Sequence, residues 1–162
     1  MACQPHFTDL ITGSYDLDEL NLPPSLYLAS ARQGERDVLA DGVDVSRQSS
    51  TLEIHLRQGA GVFRGTVSDM RGQPVHEASV LLMPELPLDA GHRLVTWLAD
   101  VTDQNGHFEI PGIVPGRYRA YAALGVDNYV DPDFVAPFRD RAIPVTLEEN
   151  GELMRDLSLL TR

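Results

Sequence analysis

A chain of 162 residues with a hydrophobic fraction of 43% has room for one ordinary domain, or one small domain plus part of another, and enough apolar mass for a core. The formal charge is -11 and every one of its thirteen basic residues is arginine, so no basic stripe is available to neutralise phosphates, which argues against nucleic-acid and anionic-membrane partners. Cys3 is the single cysteine, so an internal disulfide is impossible; no apolar run approaches the roughly 20 residues of a spanning helix, and no membrane insertion is expected.

The chain opens on "MACQPHFTDLITG", which lacks the basic start and apolar core of a signal peptide. Residues 8–31, "TDLITGSYDLDELNLPPSLYLASA", are followed by two short β-prone runs, "GVDVS" (42–46) and "TLEIHLRQ" (51–58). From residue 61 the strand order is clear. "VFRGTVSD" (62–69) alternates and ends at the turn "MRGQP", and "ASVLLMPE" (78–85) puts Ala78, Val80 and Leu82 on one face. In "HRLVTWLADVTD" (92–103), Val95, Trp97, Ala99 and Val101 share a face at period two. Asn105-Gly106 reads as a hairpin signal, because such turns demand positive φ. "HFEIPGI" then sets Phe108 with Ile110, and "GRYRAYAAL" sets Tyr118 with Ala120 and Ala122. Two final strands, "AIPVTLEE" (142–149) and "LMRDLSLL" (153–160), flank a second hairpin signal at Asn150-Gly151. Short strands at this spacing, punctuated by eleven Pro and thirteen Gly, are the pattern of an all-β sandwich, and no helix is expected.

Residues 8–31 echo residues 102–122, "TDQNGHFEIPGIVPGRYRAYA". Thr8-Asp9 aligns with Thr102-Asp103, Gly13 with Gly106, Tyr15 with Phe108, Leu17 with Ile110, Pro24 with Pro115 and Tyr27 with Tyr118; downstream, 42–46 corresponds loosely to 142–146, and 51–58 to the last strand. The expected organisation is a partial four-strand copy over 1–58 and a complete seven-stranded domain over 61–162. Four strands with one apolar face leave that face uncovered and their sheet edges unpaired. The segment is therefore expected to dock on the complete domain, to pair with another molecule through its incomplete sheet, or to continue a longer natural chain that begins upstream of Met1.

Gly65, Val67, Asp69, Gly72, Pro74, Val75, Ala78 and Val80 meet the pattern G-x-V-x-D-x-x-G-x-P-V-x-x-A-x-V, and residues 102–118 meet T-D-x-x-G-x-F-x-I-x-x-I-x-P-G-x-Y almost wholly. With these motifs the chain resembles the carboxypeptidase regulatory-like domain, a transthyretin-like Greek-key sandwich of seven antiparallel strands. The resemblance covers 61–162 well and 8–58 in part. It implies a non-catalytic structural or binding module of an exported or cell-envelope bacterial protein, with a protein or glycan partner left open and no cofactor. Read without the resemblance, the missing signal peptide points to the cytoplasm. Each motif residue has a structural reason: Gly72 and Gly106 permit tight turns, and Pro115-Gly116 aims Tyr118 inward, where its hydroxyl can satisfy nearby backbone as in a tyrosine corner.

Catalytic signatures are sparse. Without lysine, an isopeptide bond, Schiff-base chemistry and Ser–Lys chemistry are all ruled out. His6, His55, His76, His92 and His107 form no H-x-H, H-x-x-E or H-E-x-x-H spacing, so the zinc centre of a carboxypeptidase is missing. An enzyme on a dioxygenase-like scaffold would need two Tyr and two His for iron, and Tyr118 reads as a core residue. Two groups remain, both in the polar, Pro-broken loop 125–141. Asp127, Asn128, Asp131 and Asp133 put four oxygen donors together that could hold Ca²⁺, although the D-x-D-x-D-G order is missing and acidic loops are usually just solvated. Tyr129, Phe134 and Phe138, with Trp97, could form a sugar-stacking platform, which makes a carbohydrate-binding module the alternative; against it, large aromatics bury most of their area when they can.

Overall fold

Alternating apolar residues make the strands, and glycine and proline end them. The computed structural model describes residues 9–15, 17, 22–46, 51–85, 98–125, 138 and 140–161. In the first segment these form β1 (Gly13–Tyr15), β2 (Leu26–Gln33), β3 (Arg36–Asp37), a single helical turn α1 (Val38–Asp41), β4 (Val43–Val45) and β5 (Leu52–Gln58). The second contains β6 (Gly61–Ser68), β7 (Ser79–Pro84), β8 (Leu98–Val101), β9 (His107–Ile113), β10 (Gly116–Ala123), β11 (Ile143–Leu147), β12 (Glu152–Met154) and β13 (Leu157–Leu160).

From residue 61 the chain is an all-β sandwich. One layer has the order β9-β6-β12, the other β8-β7-β10-β11. The faces read from alternation are the ones that meet: Phe63 and Val67 of β6, Val80 and Leu82 of β7, Phe108 and Ile110 of β9, and Tyr118, Ala120 and Ala122 of β10 make one buried cluster. Phe63 and Phe108 pack edge to face at 5.0 Å between ring centroids. β13 joins the layers, pairing in parallel with β6 at Leu157 and Ser158 and with β10 at Leu159 and Leu160.

Three local expectations give way. The last predicted strand is two, broken at Arg155-Asp156, where the chain crosses so close to β6 that a Cβ on Gly65 would collide with the Arg155 carbonyl oxygen. Asn150-Gly151 does turn the chain, with Asn150 at φ 56° and the Gly151 amide donating to the Glu148 carbonyl at 2.8 Å. Yet it joins no hairpin: β11 pairs with β10, while β12 lies parallel to β6 in the opposite layer. Finally, Asn105-Gly106 also turns the chain without closing a hairpin, since β8 pairs with β7 and β9 pairs with β6 in the opposite layer.

The layer of β7 and β10 is buried on both sides. Leu81, Met83, Tyr121 and Ala123 point away from the first core and are covered by Phe138 and Ala142. A sheet covered twice reads as a continuous apolar run, which is what "VLLM" (80–83) and "AYAA" (120–123) show.

The first segment is built differently. Its sheet has the order β3-β2-β5, and β1 pairs separately with β4. Leu28, Ala31, Val38, Leu39 and Val43 form its small core. Asp37 caps α1 by accepting from the Leu39 amide at 2.9 Å, and Gly42 ends it. These pairings differ from those of the aligned strands in the sandwich: the counterpart of β2 is β10, which pairs antiparallel with β11 and β7 and only in parallel with β13, the counterpart of β5, whereas β2 pairs antiparallel with β5. The segments meet where β5 runs into β6, with the Gly59 and Ala60 amides donating to the Ser25 carbonyl at 3.0 and 3.2 Å.

Candidate functional site

Asp69, Gly72, Asp103 and Gly106 of the two motifs gather at one end of the sandwich, in two turns of the same design. In residues 69–73, Asp69 Oδ1 accepts from the amides of Arg71 and Gln73 at 2.8 and 2.9 Å, the Gly72 amide donates to the Asp69 carbonyl at 3.0 Å, and the Asp69 amide donates to the Gln73 carbonyl at 2.9 Å. Residues 103–107 repeat the set: Asp103 Oδ1 accepts from Asn105 and His107 at 2.8 and 2.9 Å, Gly106 donates to the Asp103 carbonyl at 2.9 Å, and Asp103 donates to the His107 carbonyl at 2.9 Å. Gly72 and Gly106 both sit at φ 75°, so only the last position of each turn is left-handed, a tight turn closed by an αL residue. The D-x-x-G spacing is the chemistry of this turn. An aspartate two bonds from the backbone organises amides two and four residues ahead, and glycine takes the positive φ.

The turns are stitched together. The Val67 amide donates to the Gly106 carbonyl at 2.8 Å, and a Cβ on Gly106 would come within 2.7 Å of the Val67 carbonyl. Thr102 is buried, accepts from the Ala78 amide at 2.9 Å and donates to the Val75 carbonyl at 2.7 Å. Backbone hydrogen bonds from His107 and then Asn105 hold the Asp103 carboxyl below its ordinary value of 3.8. His107 Nδ1 lies 3.6 Å from Asp103 Oδ2, and His76 Nδ1 lies 3.8 Å from Glu77 Oε1, all on exposed side chains.

Tyr118 is fully buried and donates to the Val114 carbonyl at 2.5 Å, the corner anticipated from Pro115-Gly116. Burial drives its phenol far above the ordinary value of 10.0. The same four-residue reach recurs in the first segment, where Tyr15 donates to the Ile11 carbonyl at 2.7 Å from an exposed ring. Tyr27, the residue aligned with Tyr118, is half-buried in β2.

Of the loop candidates, Asp127, Asn128, Tyr129, Asp131, Asp133 and Phe134 lie outside the described residues, as does Trp97. Phe138 is described, and it is only 2% exposed. Its ring stacks on Tyr121 at 5.4 Å between centroids with the planes 7° apart, and the Arg141 guanidinium carbon lies 5.6 Å from its centroid. Arg141 in turn donates to the Thr161 carbonyl at 2.8 Å. Phe138 therefore belongs to the packing over β7 and β10 instead of presenting an open stacking face. Beneath it the Tyr121 hydroxyl is buried without a hydrogen-bond partner among the described residues, and burial pushes its pKa up to about 12. Sequence reasoning did not single out Tyr121; its signal was the apolar character of both faces of β10.

On the outer face of the other layer, Arg64 bridges three strands, its Nε 2.9 Å from Glu109 Oε2 on β9 and its Nη1 bonded to Glu152 on β12. The Glu109 hydrogen bond, opposed by slight desolvation, raises the arginine pKa. Among the described residues no group of three or more His, Cys, Asp or Glu is arranged to hold a metal ion, and no helix is long and apolar enough to cross a membrane.

No protein-family model and no curated protein matches the chain. Among solved structures it is similar to BcpA, the major pilin subunit of Bacillus cereus, at 16% identity over 67% of this chain and 33% of that one, with a TM-score of 0.42. It is also similar to catechol 1,2-dioxygenase from Acinetobacter sp. ADP1, at 13% identity over 62% of this chain and 52% of that one, TM-score 0.38. A third similarity is to the group B streptococcus pilus 2b backbone protein, at 14% identity over 72% of this chain and 46% of that one, TM-score 0.37. The chain thus spans a third to about half of the length of these proteins.

Proposed function

We propose that this chain is a non-catalytic structural or binding module, a carboxypeptidase regulatory-like sandwich serving an exported or cell-envelope bacterial protein. One observation carries the reading. The motif residues that carry the resemblance are engaged by the fold itself: Asp69 and Asp103 hold turn amides, Thr102 bridges Ala78 and Val75, and Tyr118 satisfies Val114. A side chain whose donors and acceptors are already committed to backbone is poorly placed to act on a substrate.

Two measurements on the purified chain test this. Elemental analysis should return no stoichiometric transition metal; one bound iron per chain would replace the module with an enzyme on this scaffold. A glycan array reads the ligand side. Retention of a polysaccharide by the wild type, lost in Tyr129→Ala/Phe134→Ala, would make the module a carbohydrate binder through the 125–141 loop. No retention leaves a protein-facing or spacer role.

A further inference from the structure

β5 is the bare edge of the first segment. Among the described residues it pairs with β2 alone, and from Glu53 to Gln58 every side chain is exposed. Partners directly opposite in an antiparallel pair share a face, so β2 and β5 sort into two stripes. On one face Leu28 stands opposite Leu56 and Ala31 opposite Ile54; on the other Tyr27 faces Arg57, Ser30 faces His55 and Arg32 faces Glu53. Leu28 and Ala31 are buried, but Ile54 and Leu56 remain 40% and 44% exposed, so the apolar layer runs out to the edge and stops uncovered.

The edge sequence Glu53-Ile54-His55-Leu56-Arg57 is its own complement about His55. We infer that β5 pairs antiparallel with β5 of a second copy of this chain, about a two-fold axis through His55. Such an axis runs perpendicular to the sheet and keeps each side chain on its own face, so the register must centre on a residue. Centred on His55, Glu53 meets Arg57 of the second copy twice over, and Ile54 meets Leu56 twice. Counted across four strands, one face then reads Leu28, Leu56, Ile54, Ala31, entirely apolar. The other reads Arg32, Glu53, Arg57, Tyr27, an alternating charge ladder of the type this protein already builds across β9, β6 and β12 with Glu109, Arg64 and Glu152. A register centred on Ile54 would pair the apolar residues as well, but it would set Arg57 against Thr51 and leave its charge unanswered. Charge therefore selects His55. The pairing joins β3-β2-β5 to its mate as one six-stranded sheet and removes the open edge.

Sedimentation equilibrium of the full chain, run across a wide concentration range at low salt, tests this. The wild type should populate a dimer. Glu53→Arg or Arg57→Glu alone sets like charges opposite each other at both symmetric contacts and should weaken the dimer by more than about tenfold. The double exchange Glu53→Arg/Arg57→Glu should restore it, while far-UV circular dichroism confirms that all three variants are folded. A wild type that stays monomeric at every concentration, or a dimer indifferent to the single reversals, overturns the inference. A dimer lost in the singles and not recovered in the double overturns the register.

Discussion

The two segments share a sequence pattern and part company in how they close. Residues 61–161 bury Phe63, Val67, Leu82, Ile113 and Tyr118 between two layers, and cover the second layer again with Phe138. Among the described residues, 9–58 bury a smaller apolar cluster beside a three-stranded sheet in which β5 pairs with β2 alone, and pair β1 with β4 separately. The turn chemistry differs in step with the packing. In the sandwich, D-x-x-G sets aspartate and glycine at the spacing that lets one carboxylate hold two amides, and does so twice. In the first segment one extra residue separates Asp9 from Gly13, and Asp9 itself lies at φ 63°. A single insertion is enough to cancel the turn, because its hydrogen bonds depend on fixed offsets along the chain. Local pattern survives such an insertion; the pairing it was meant to specify does not.

The largest test of that contrast is a core truncation in each segment. Phe63→Ala should cost about 3–5 kcal/mol in urea unfolding, whereas Leu39→Ala in the smaller core should fall nearer about 2 kcal/mol, since a thin core relaxes around the gap. Equal costs would erase the distinction. Next comes the turn. Gly106→Ala puts a Cβ against the Val67 carbonyl at a left-handed position and should destabilise by more than about 1 kcal/mol, read as a lower midpoint at unchanged slope.

The two buried tyrosines should then respond differently. Tyr118→Phe orphans the Val114 carbonyl and should cost about 1 kcal/mol, while Tyr121→Phe removes a hydroxyl with no partner among the described residues and should be neutral or stabilising. Thermal melts of the pair decide this, and a loss at Tyr121 would show that its hydroxyl is engaged in solution.

The smallest effect is acid sensitivity at the Asp103 turn. Its folded pKa is depressed, so its contribution to stability is complete above the ordinary value of 3.8 and is lost as pH falls through the lower folded value. The Asn105 amide resonance should hold its position as pH falls past 3.8 and move below it. Movement centred at 3.8 would mean that the carboxylate gains nothing from the turn amides.

Much of the sandwich was legible because alternation reports burial directly: β6, β7, β9 and β10 show inward faces that match their sequence periods. What escaped was partner choice. Asn150-Gly151 signals a reversal, but a reversal within one sheet and an arch between two use the same local conformation, and only the partners of β11 and β12 distinguish them. The same holds at Asn105-Gly106, which carries the chain from β8 beside β7 to β9 beside β6. The loop aromatic Phe138 was visible as a large apolar group, yet its burial depends on Tyr121 across the fold, a contact that no window of sequence contains. The twin turns were the most readable feature of the site region, because every hydrogen bond in them is short in sequence.

β13 carries a consequence for how this protein comes into being. It and β12 lie parallel to β6, with Asp156 accepting from the Thr66 amide across 90 residues of chain. During synthesis β6 and β10 are made long before the strand that bridges them, so the join between the layers waits until Leu157–Leu160 has emerged. Parallel contacts at such separation form late, because loop entropy must be overcome before they return any stability. The interval between making β6 and making β13 is when the nascent chain is most exposed to mispairing, and a chaperone binding it then would meet an unclosed sandwich.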